Sequence, residues 1–343
     1  MSHEFVSVQW SKLKIKYDVI VLLSVLIFLA AFIGIGLSKG VADLPILIIR
    51  GLGTCAFVLL HIILAIGPLA RLSARFKPIL FNRRHFGVIT ALVALGHAAF
   101  TLMWYHGGGV LNPVASAIGG YGNYGVAIEF PFEGLGLIAL IILLVMATTS
   151  HDFWLNRLSP PVWKVLHMGV YFAYAALVGH VALGTAQFDK SSGILWAVAG
   201  GAIILSGLHL AAMIKGRGLD RRADISGNWI NVGPAMDIPM NKAVTVTPKS
   251  GERIAVFRHD KGVSAIDAVC SHQNGPLGEG CVLGGFITCP WHGFQFDPET
   301  GEAPAPYKDR VKTHEVKIEN GNVLVRAEAD PFGTVRKSLQ VSS

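Results

Sequence analysis

The stretch Cys270-Ser271-His272, followed after sixteen residues by Cys289-Pro290-Trp291-His292-Gly293, decides how the C-terminal third of this chain is read. Two cysteines and two histidines in short pairs can hold a metal. Zinc takes two thiolates and two imidazoles in a tetrahedron, but its pairs usually arrive as like ligands, Cys with Cys and His with His. Here each half-site supplies one Cys and one His. That pattern suits a [2Fe–2S] centre whose two irons differ, one held by cysteines and the other by histidines. Each pair then sits on its own loop, and the two loops clasp the cluster from one side.

The flanking residues carry a family resemblance. Ala268 to Leu277, and Cys289 to Asp297, resemble the two cluster loops of soluble Rieske ferredoxins. Ala303-Pro304-Ala305-Pro306 follows where that family shields its cluster. The resemblance covers residues 228–328 and implies an all-β domain with Cys270, His272, Cys289 and His292 as cluster ligands. In the respiratory cytochrome bc type of the family, each loop carries a further cysteine and the two are joined by a disulfide. Those positions are Gly275 and Trp291 here. Where that type places Ser and Tyr hydroxyls against the cluster and a ligand sulfur, this chain has Phe294 and Phe296. Fewer hydrogen bonds to sulfur destabilise the reduced cluster, so the expected potential is low.

The rest of the chain is of another kind. Of 343 residues, 52% are hydrophobic and only 15% charged, which no ordinary soluble protein shows. The apolar runs lie at about 18–37, 47–69, 86–105, 134–150, 162–184 and 193–214, each near the ~20 residues that cross a bilayer core. Six spans are expected. The first is too long for a signal peptide and no small-residue cleavage site follows it. Fourteen Lys and Arg flank the spans on one side, against Lys39, Arg50 and Lys190 on the other. The positive-inside rule therefore places both termini and the C-terminal domain in the cytoplasm. The part before residue 226 carries a net +8 and the remainder −1. Such basicity belongs to membrane loops and argues against nucleic acid as a partner. Cys55 and Cys281 complete the four cysteines and imply no disulfide framework.

The expected fold class is an α-helical membrane bundle of six transmembrane helices followed by an all-β domain. Its layout is a cytoplasmic N-terminus (1–17), the helical domain (18–214), a polar linker (215–227), the cluster domain (228–328) and a tail (329–343). The tail reads as unstructured. Segments such as Arg253–Phe257, Phe286–Cys289 and Val323–Val325 read as strands between Gly, Asn and Asp turns. No internal repeat is evident.

Five of the thirteen histidines fall inside spans: His61, His97, His167, His180 and His209. Each alone is most simply a ring bonded to a neighbouring carbonyl, but five in one bundle call for a function. Imidazoles on facing helices, with no carboxylate well inside a span, suit b-type haem held axially by two histidines. By helical rise, His61, His167 and His209 lie about 7–12 Å from the cytoplasmic ends, and His97 and His180 about 18–27 Å. This predicts two haems, an outer one on His97 and His180 and an inner one on His167 and His61. His209 and His85 are rivals for the place of His61.

At these residues Ile66 to Arg71, Arg83 to Gly87, Leu95-Gly96-His97 and Trp163 to His167 resemble the ferric-reductase-like membrane domain. The near branch is the haem-binding membrane subunit of the bacterial periplasmic methionine-sulfoxide reductase system. The resemblance covers about 45–215 and implies His97, His167 and His180 as haem ligands. His61 departs from that family, where the position is apolar. No Gly-rich dinucleotide fingerprint and no flavin domain follow the last span. A multi-pass protein of the bacterial inner membrane is expected. It would pass electrons from a cytosolic flavin reductase or ferredoxin-type donor, through cluster and haem, to an outer acceptor. A periplasmic reductase, ferric chelate, quinone or oxygen would serve, and the membrane domain admits a flavin or quinone as a further cofactor. The rivals are a reverse, quinol-linked reductase of a cytosolic partner and a redox-sensing membrane protein.

Overall fold

The computed structural model describes residues 12–76, 79, 83–119, 129–150, 154, 158, 160–188, 192–219, 221–222, 224–248, 253–271, 275–290, 293–305 and 307–341. They divide into two units, Met1–Ala70 with Asn82–His209, and Arg71–Phe81 with Leu210–Ser343.

Among the described residues the first unit is built from seven α-helices, the last of which runs on into the second unit. They are α1 (Lys12–Ser38), α2 (Leu44–Leu72), α3 (Arg83–His106), α4 (Pro113–Gly119), α5 (Phe132–Thr148), α6 (Pro160–Phe188) and α7 (Ser192–Leu219). Five of them, α1, α2, α3, α6 and α7, are long and apolar enough to cross a membrane. The sixth expected span, α5, has only 17 residues, a rise of about 26 Å against a ~30 Å hydrocarbon core. Pro131 stands at its N-cap, and a proline drives the preceding residue out of helical geometry, which stops the helix there. Around α1 the apolar side chains face outward, Leu26 and Ile27 among them, and Val25 is its buried one. A helix apolar on all sides with so little of it covered belongs in lipid.

Small residues set the closest packing. Ala139 of α5 and Ala173 and Ala176 of α6 are buried in one cluster with Leu135, Ile142 and Leu177. Without side chains between them, two helices approach closely, which in lipid substitutes for the missing hydrophobic drive. A second cluster joins Leu60 and Leu64 of α2, Ala91 of α3, Leu143 of α5 and Leu205 of α7.

From Arg221 onward the second unit is built on β-strands. Strands β1 (Arg221–Arg222), β4 (Lys242–Thr247), β5 (Ile254–His259), β6 (Gly262–Asp267) and β10 (Thr313–His314) form one sheet in that order. A second runs β11 (Val316–Glu319), β12 (Asn322–Arg326), β3 (Trp229–Pro234) and β2 (Asp224–Ser226). The third is β7 (Cys281–Leu283), β8 (Phe286–Thr288) and β9 (Gln295–Phe296). Two of the hairpins turn on left-handed residues, Asn320-Gly321 between β11 and β12 and Gly284-Gly285 between β7 and β8. Both are two-residue loops of the kind that matches strand twist. Ile230, Val232, Val246, Ile254, Val256, Val323 and Val325 fill the core between the larger sheets.

Two boundaries differ from the sequence expectation. The linker 215–227 is not a free segment: α7 continues to Leu219, and β1 and β2 join the sheets beside β4 and β3. The tail is not unstructured either. Leu339 exchanges backbone hydrogen bonds with Val263 (2.8 and 3.0 Å), and Arg336 grips the Asp330 carboxylate through two N–H donors (2.8 and 2.7 Å). The Ser338 backbone N–H and hydroxyl both donate to Glu299 (3.0 and 2.8 Å). The tail is thus a strap over the edge of β6, and its polar composition concealed that because polar contacts hold it.

These contacts give the strap a pH dependence. Arg336 holds the Asp330 carboxyl below its usual range, and the Ser338 donors do the same for Glu299. A depressed carboxyl contributes stability above its unfolded-state pKa and loses it as pH falls through the folded value. Asp330→Asn should therefore cost about 1–2 kcal/mol at neutral pH and little at a pH below the folded-state value, itself under the usual ~3.9. The check is the urea midpoint for bleaching of the cluster absorbance in the full chain at both pH values. An equal loss at both would remove this account.

Candidate metal centres

The third sheet positions the first centre. The loop between β6 and β7 is pinched at its base by hydrogen bonds from Leu277 N to Ala268 O and from Cys270 N to Gly275 O, both 2.8 Å. The loop between β8 and β9 is closed by Cys289 N to Phe294 O (2.8 Å) and Gly293 N to Cys289 O (3.0 Å). Each pinch puts a cysteine at the root of its loop, and both thiols are buried, Cys270 at 1% and Cys289 at 2% exposure. His272, His292 and Trp291 lie outside the described residues. Phe294 and Phe296 are buried, with rings 5.3 Å apart, and Tyr307 meets the edge of Phe294 at 5.0 Å. Two buried thiols, each at the root of its own loop, are a donor set that fits a group held by both loops. At positions 294 and 296 hydrocarbon stands in place of hydroxyl.

The second centre lies in the bundle. His97 of α3 and His180 of α6 face each other with ring centroids 6.4 Å apart and planes at 78°. His97 donates its Nδ1–H to Ile49 O of α2 (2.9 Å), and His180 donates its own to Phe132 O of α5 (2.9 Å). A carbonyl that accepts on Nδ1 fixes the neutral tautomer and leaves the Nε2 lone pair for a metal. Two imidazoles that share one metal ion at ~2 Å per nitrogen need centroids about 6 Å apart. The pair fits.

Glycine makes each seat possible. The carbonyls used are those of Ile49 and Phe132, and four residues on stand Gly53 and Gly136. A Cβ at Gly53 would come within 2.9 Å of the His97 ring, and one at Gly136 within 2.9 Å of the His180 ring. A side chain there would shut the histidine out of the carbonyl. The two seats are also copies in sequence. Gly51-Leu52-Gly53 and Gly96-His97 recur 83 residues on as Gly134-Leu135-Gly136 and Gly179-His180. The hairpins α2–α3 and α5–α6 are therefore an internal repeat, which the sequence expectation had missed because so few positions carry it.

The inner histidines have no such symmetry. The same offset sets Leu144 against His61 and Arg84 against His167. His61 donates Nδ1–H to Phe57 O (2.9 Å) and accepts the Tyr174 hydroxyl proton on Nε2 (2.9 Å). Tyr174 is seven residues beyond His167 on α6, about 10 Å along the axis, so the structure does not bring His61 and His167 together. His167 stacks on Trp163 (3.8 Å), donates Nδ1–H to Trp163 O (3.0 Å) and has Nε2 3.3 Å from the Ser150 hydroxyl. That hydroxyl has Met146 O as its own acceptor at 2.7 Å. Of the rivals, His85 is bound to Asp18 (2.7 Å) and His209 meets the edge of Tyr171 (5.4 Å).

Comparison with known proteins agrees with both halves. Residues 228–315 match the Rieske [2Fe-2S] domain model and residues 50–178 the ferric reductase like transmembrane component. The ferredoxin component of the naphthalene 1,2-dioxygenase/salicylate 5-hydroxylase systems of Ralstonia sp is 35% identical over 102 residues, 29% of this chain and 97% of that protein. The ferredoxin component of the Pseudomonas putida naphthalene 1,2-dioxygenase system is 34% identical over 98 residues, 28% and 93% of the two chains. Among solved structures, the Sphingomonas yanoikuyae B1 ferredoxin is 32% identical, covering 30% of this chain and 100% of its own at a TM-score of 0.27. The chain thus belongs to the Rieske [2Fe–2S] family through its C-terminal domain, joined to a ferric-reductase-like transmembrane component. It is a membrane oxidoreductase with a role in transmembrane electron transfer.

The apolar surroundings at 294 and 296 set an expected potential. The cluster should titrate near the low end of the Rieske range, about −150 mV rather than +300 mV, and Phe294→Ser should raise it. Potentiometry followed by EPR checks this. A wild-type midpoint above about +100 mV on the same scale would mean that other donors take over from the missing hydroxyls.

Proposed function

We propose that Cys270, His272, Cys289 and His292 would hold the cluster and that His97 and His180 would hold a b-type haem between them. Electrons pass inward-to-outward, from a cytosolic flavin reductase or ferredoxin-type donor to an acceptor on the outer face. The observation that carries this reading is the opposed His97–His180 pair, each Nδ1 fixed by a carbonyl, in a chain that also carries a Rieske domain. When bound, the two groups supply one-electron carriers of different potential. The chain's own residues do the rest. The pinched loops fix the thiols, the carbonyl–glycine seats hold both imidazoles in one tautomer, and Phe294 and Phe296 deny the cluster sulfurs a hydroxyl.

The basic residues that flank the spans support termini on the cytoplasmic side. For both termini to lie there α5 must count as a crossing, at the short end of the ~17–25 residues a spanning helix uses. A low-potential cluster is a poor terminal acceptor, which favours outward flow. An inner haem on His167 would need a partner other than His61. The acceptor is a periplasmic redox protein, a ferric chelate, quinone or oxygen, in a bacterial inner membrane.

Two experiments test this. His97→Ala and His180→Ala should each abolish the same haem absorbance band; loss of different bands would break the shared site. In anaerobic stopped flow, NAD(P)H with a flavin reductase on the cytoplasmic side of vesicles should reduce haem in wild type and fail in His272→Ala. Equal rates in both would show that electrons bypass the cluster.

A further inference from the structure

Between the outer seats and the inner end of the bundle lies a polar pair that no part of the conduit uses. His61 and Tyr174 are joined at 2.9 Å from Nε2 to hydroxyl, with the His61 Nδ1–H on Phe57 O. The Phe57 and Tyr174 rings both meet the imidazole edge-on, at 4.5 and 5.1 Å. A Cβ at Gly201 of α7 would stand 2.9 Å from Nε2, so the ring is seated as closely as the two outer histidines are. Three helices thus converge on one imidazole deep in the apolar bundle, where an ionisable group is expensive and marks a function by default. Its Nε2, the nitrogen a metal would take, is engaged by the Tyr174 hydroxyl.

We infer that His61 is the proton acceptor coupled to reduction of the haem held by His97 and His180, a reading that rests on the proposed bis-histidine site. His61 is eight residues from Gly53 on α2, and Tyr174 six from His180 on α6; both lie about 9–12 Å along the helix axes from the outer seats. An electron added to the outer site is an uncompensated charge in a medium of low dielectric. At ~10 Å and an effective dielectric near 20, it raises the proton affinity of a neutral base by about tenfold. His61 is such a base: its Nε2 lone pair, which accepts the Tyr174 proton, takes one from the aqueous phase instead. The hydroxyl then turns to accept from Nε2–H. One electron from the cytosolic donor and one proton enter together, and neither bond of the ring to Phe57 nor its seat against Gly201 changes.

The surroundings offer few competitors. Leu60 and Leu64, which flank His61 on α2, pack with Ala91 of α3, Leu143 of α5 and Leu205 of α7. Of the titratable groups on these helices, His167 is engaged with Trp163 and Ser150, Tyr171 with His209, and His85 with Asp18; Arg50 and Arg71 stand towards the two ends of α2, Glu133 at the start of α5 and Lys215 near the end of α7. Cys55 is buried on α2 six residues away. Arg83 and Arg84 stand at the start of α3.

The test is potentiometry of the haem in the full-length protein across a pH series. In wild type the haem potential should slope with pH over the window in which the coupled proton is taken up, the reduction equilibrium shifting by about tenfold in all, ~59 mV for one electron. In His61→Leu, which installs the residue of the repeat-related position, the slope should vanish with haem content and band positions unchanged. Tyr174→Phe should keep the slope but move the window to lower pH, since the protonated ring loses the stronger, charge-assisted bond. A slope that persists in His61→Leu, a pH-independent wild type, or an unmoved window in Tyr174→Phe would overturn the inference. So would loss of a haem in His61→Leu, which would make the residue a ligand. A wild type that binds no haem would instead remove the bis-histidine reading itself.

Discussion

An imidazole in hydrocarbon must find an acceptor for its ring N–H, and most of the membrane half of this protein follows from how it does so. Helical carbonyls are already bonded, but each retains a second lone pair, which a ring on a neighbouring helix can reach where the residue four positions on has no side chain. Ile49 with Gly53 and Phe132 with Gly136 supply that opening twice. The result is two rings with one tautomer each, aimed at one another. The small-residue contacts of α5 and α6 around Ala139 and Ala173 then hold His180's helix close to the one that carries its acceptor carbonyl.

The β domain solves a different problem with the opposite means. Cys270 and Cys289 sit on loops, and loops are poor scaffolds unless pinched. Backbone hydrogen bonds close each loop within a few residues of its thiol, and the Gly284-Gly285 hairpin ties the second loop to the strand that leaves the first. The strap from Asp330 to Leu339 covers the edge of β6, where an uncovered strand would invite pairing with another chain.

The internal repeat explains why the two ends of the bundle differ. Duplication of a hairpin brings one histidine from each copy to a shared centre, which is how His97 and His180 meet. His61 and His167 are additions to single copies, faced across the repeat by Leu144 and Arg84. They therefore acquire partners of their own, Tyr174 for one and Trp163 with Ser150 for the other.

By itself the sequence determined the class of each half. Mixed Cys/His half-sites specify their own chemistry, and runs of apolar residues specify a membrane, because both are local properties of composition and spacing. The hairpin turns at Gly284-Gly285 and Asn320-Gly321 were legible for the same reason. His97 and His180 were legible as a pair from depth alone, since rise per residue is fixed. Only the tertiary structure decided the rest. Which carbonyl an imidazole meets, and whether His61 faces His167 or Tyr174, depends on helix rotation and neighbour choice, which hydropathy does not encode. The glycines that make the seats looked like ordinary small residues until the rings were seen against them. The strap and the strands β1 and β2 were hidden because long-range polar contacts and edge pairing, not local propensity, give them their order.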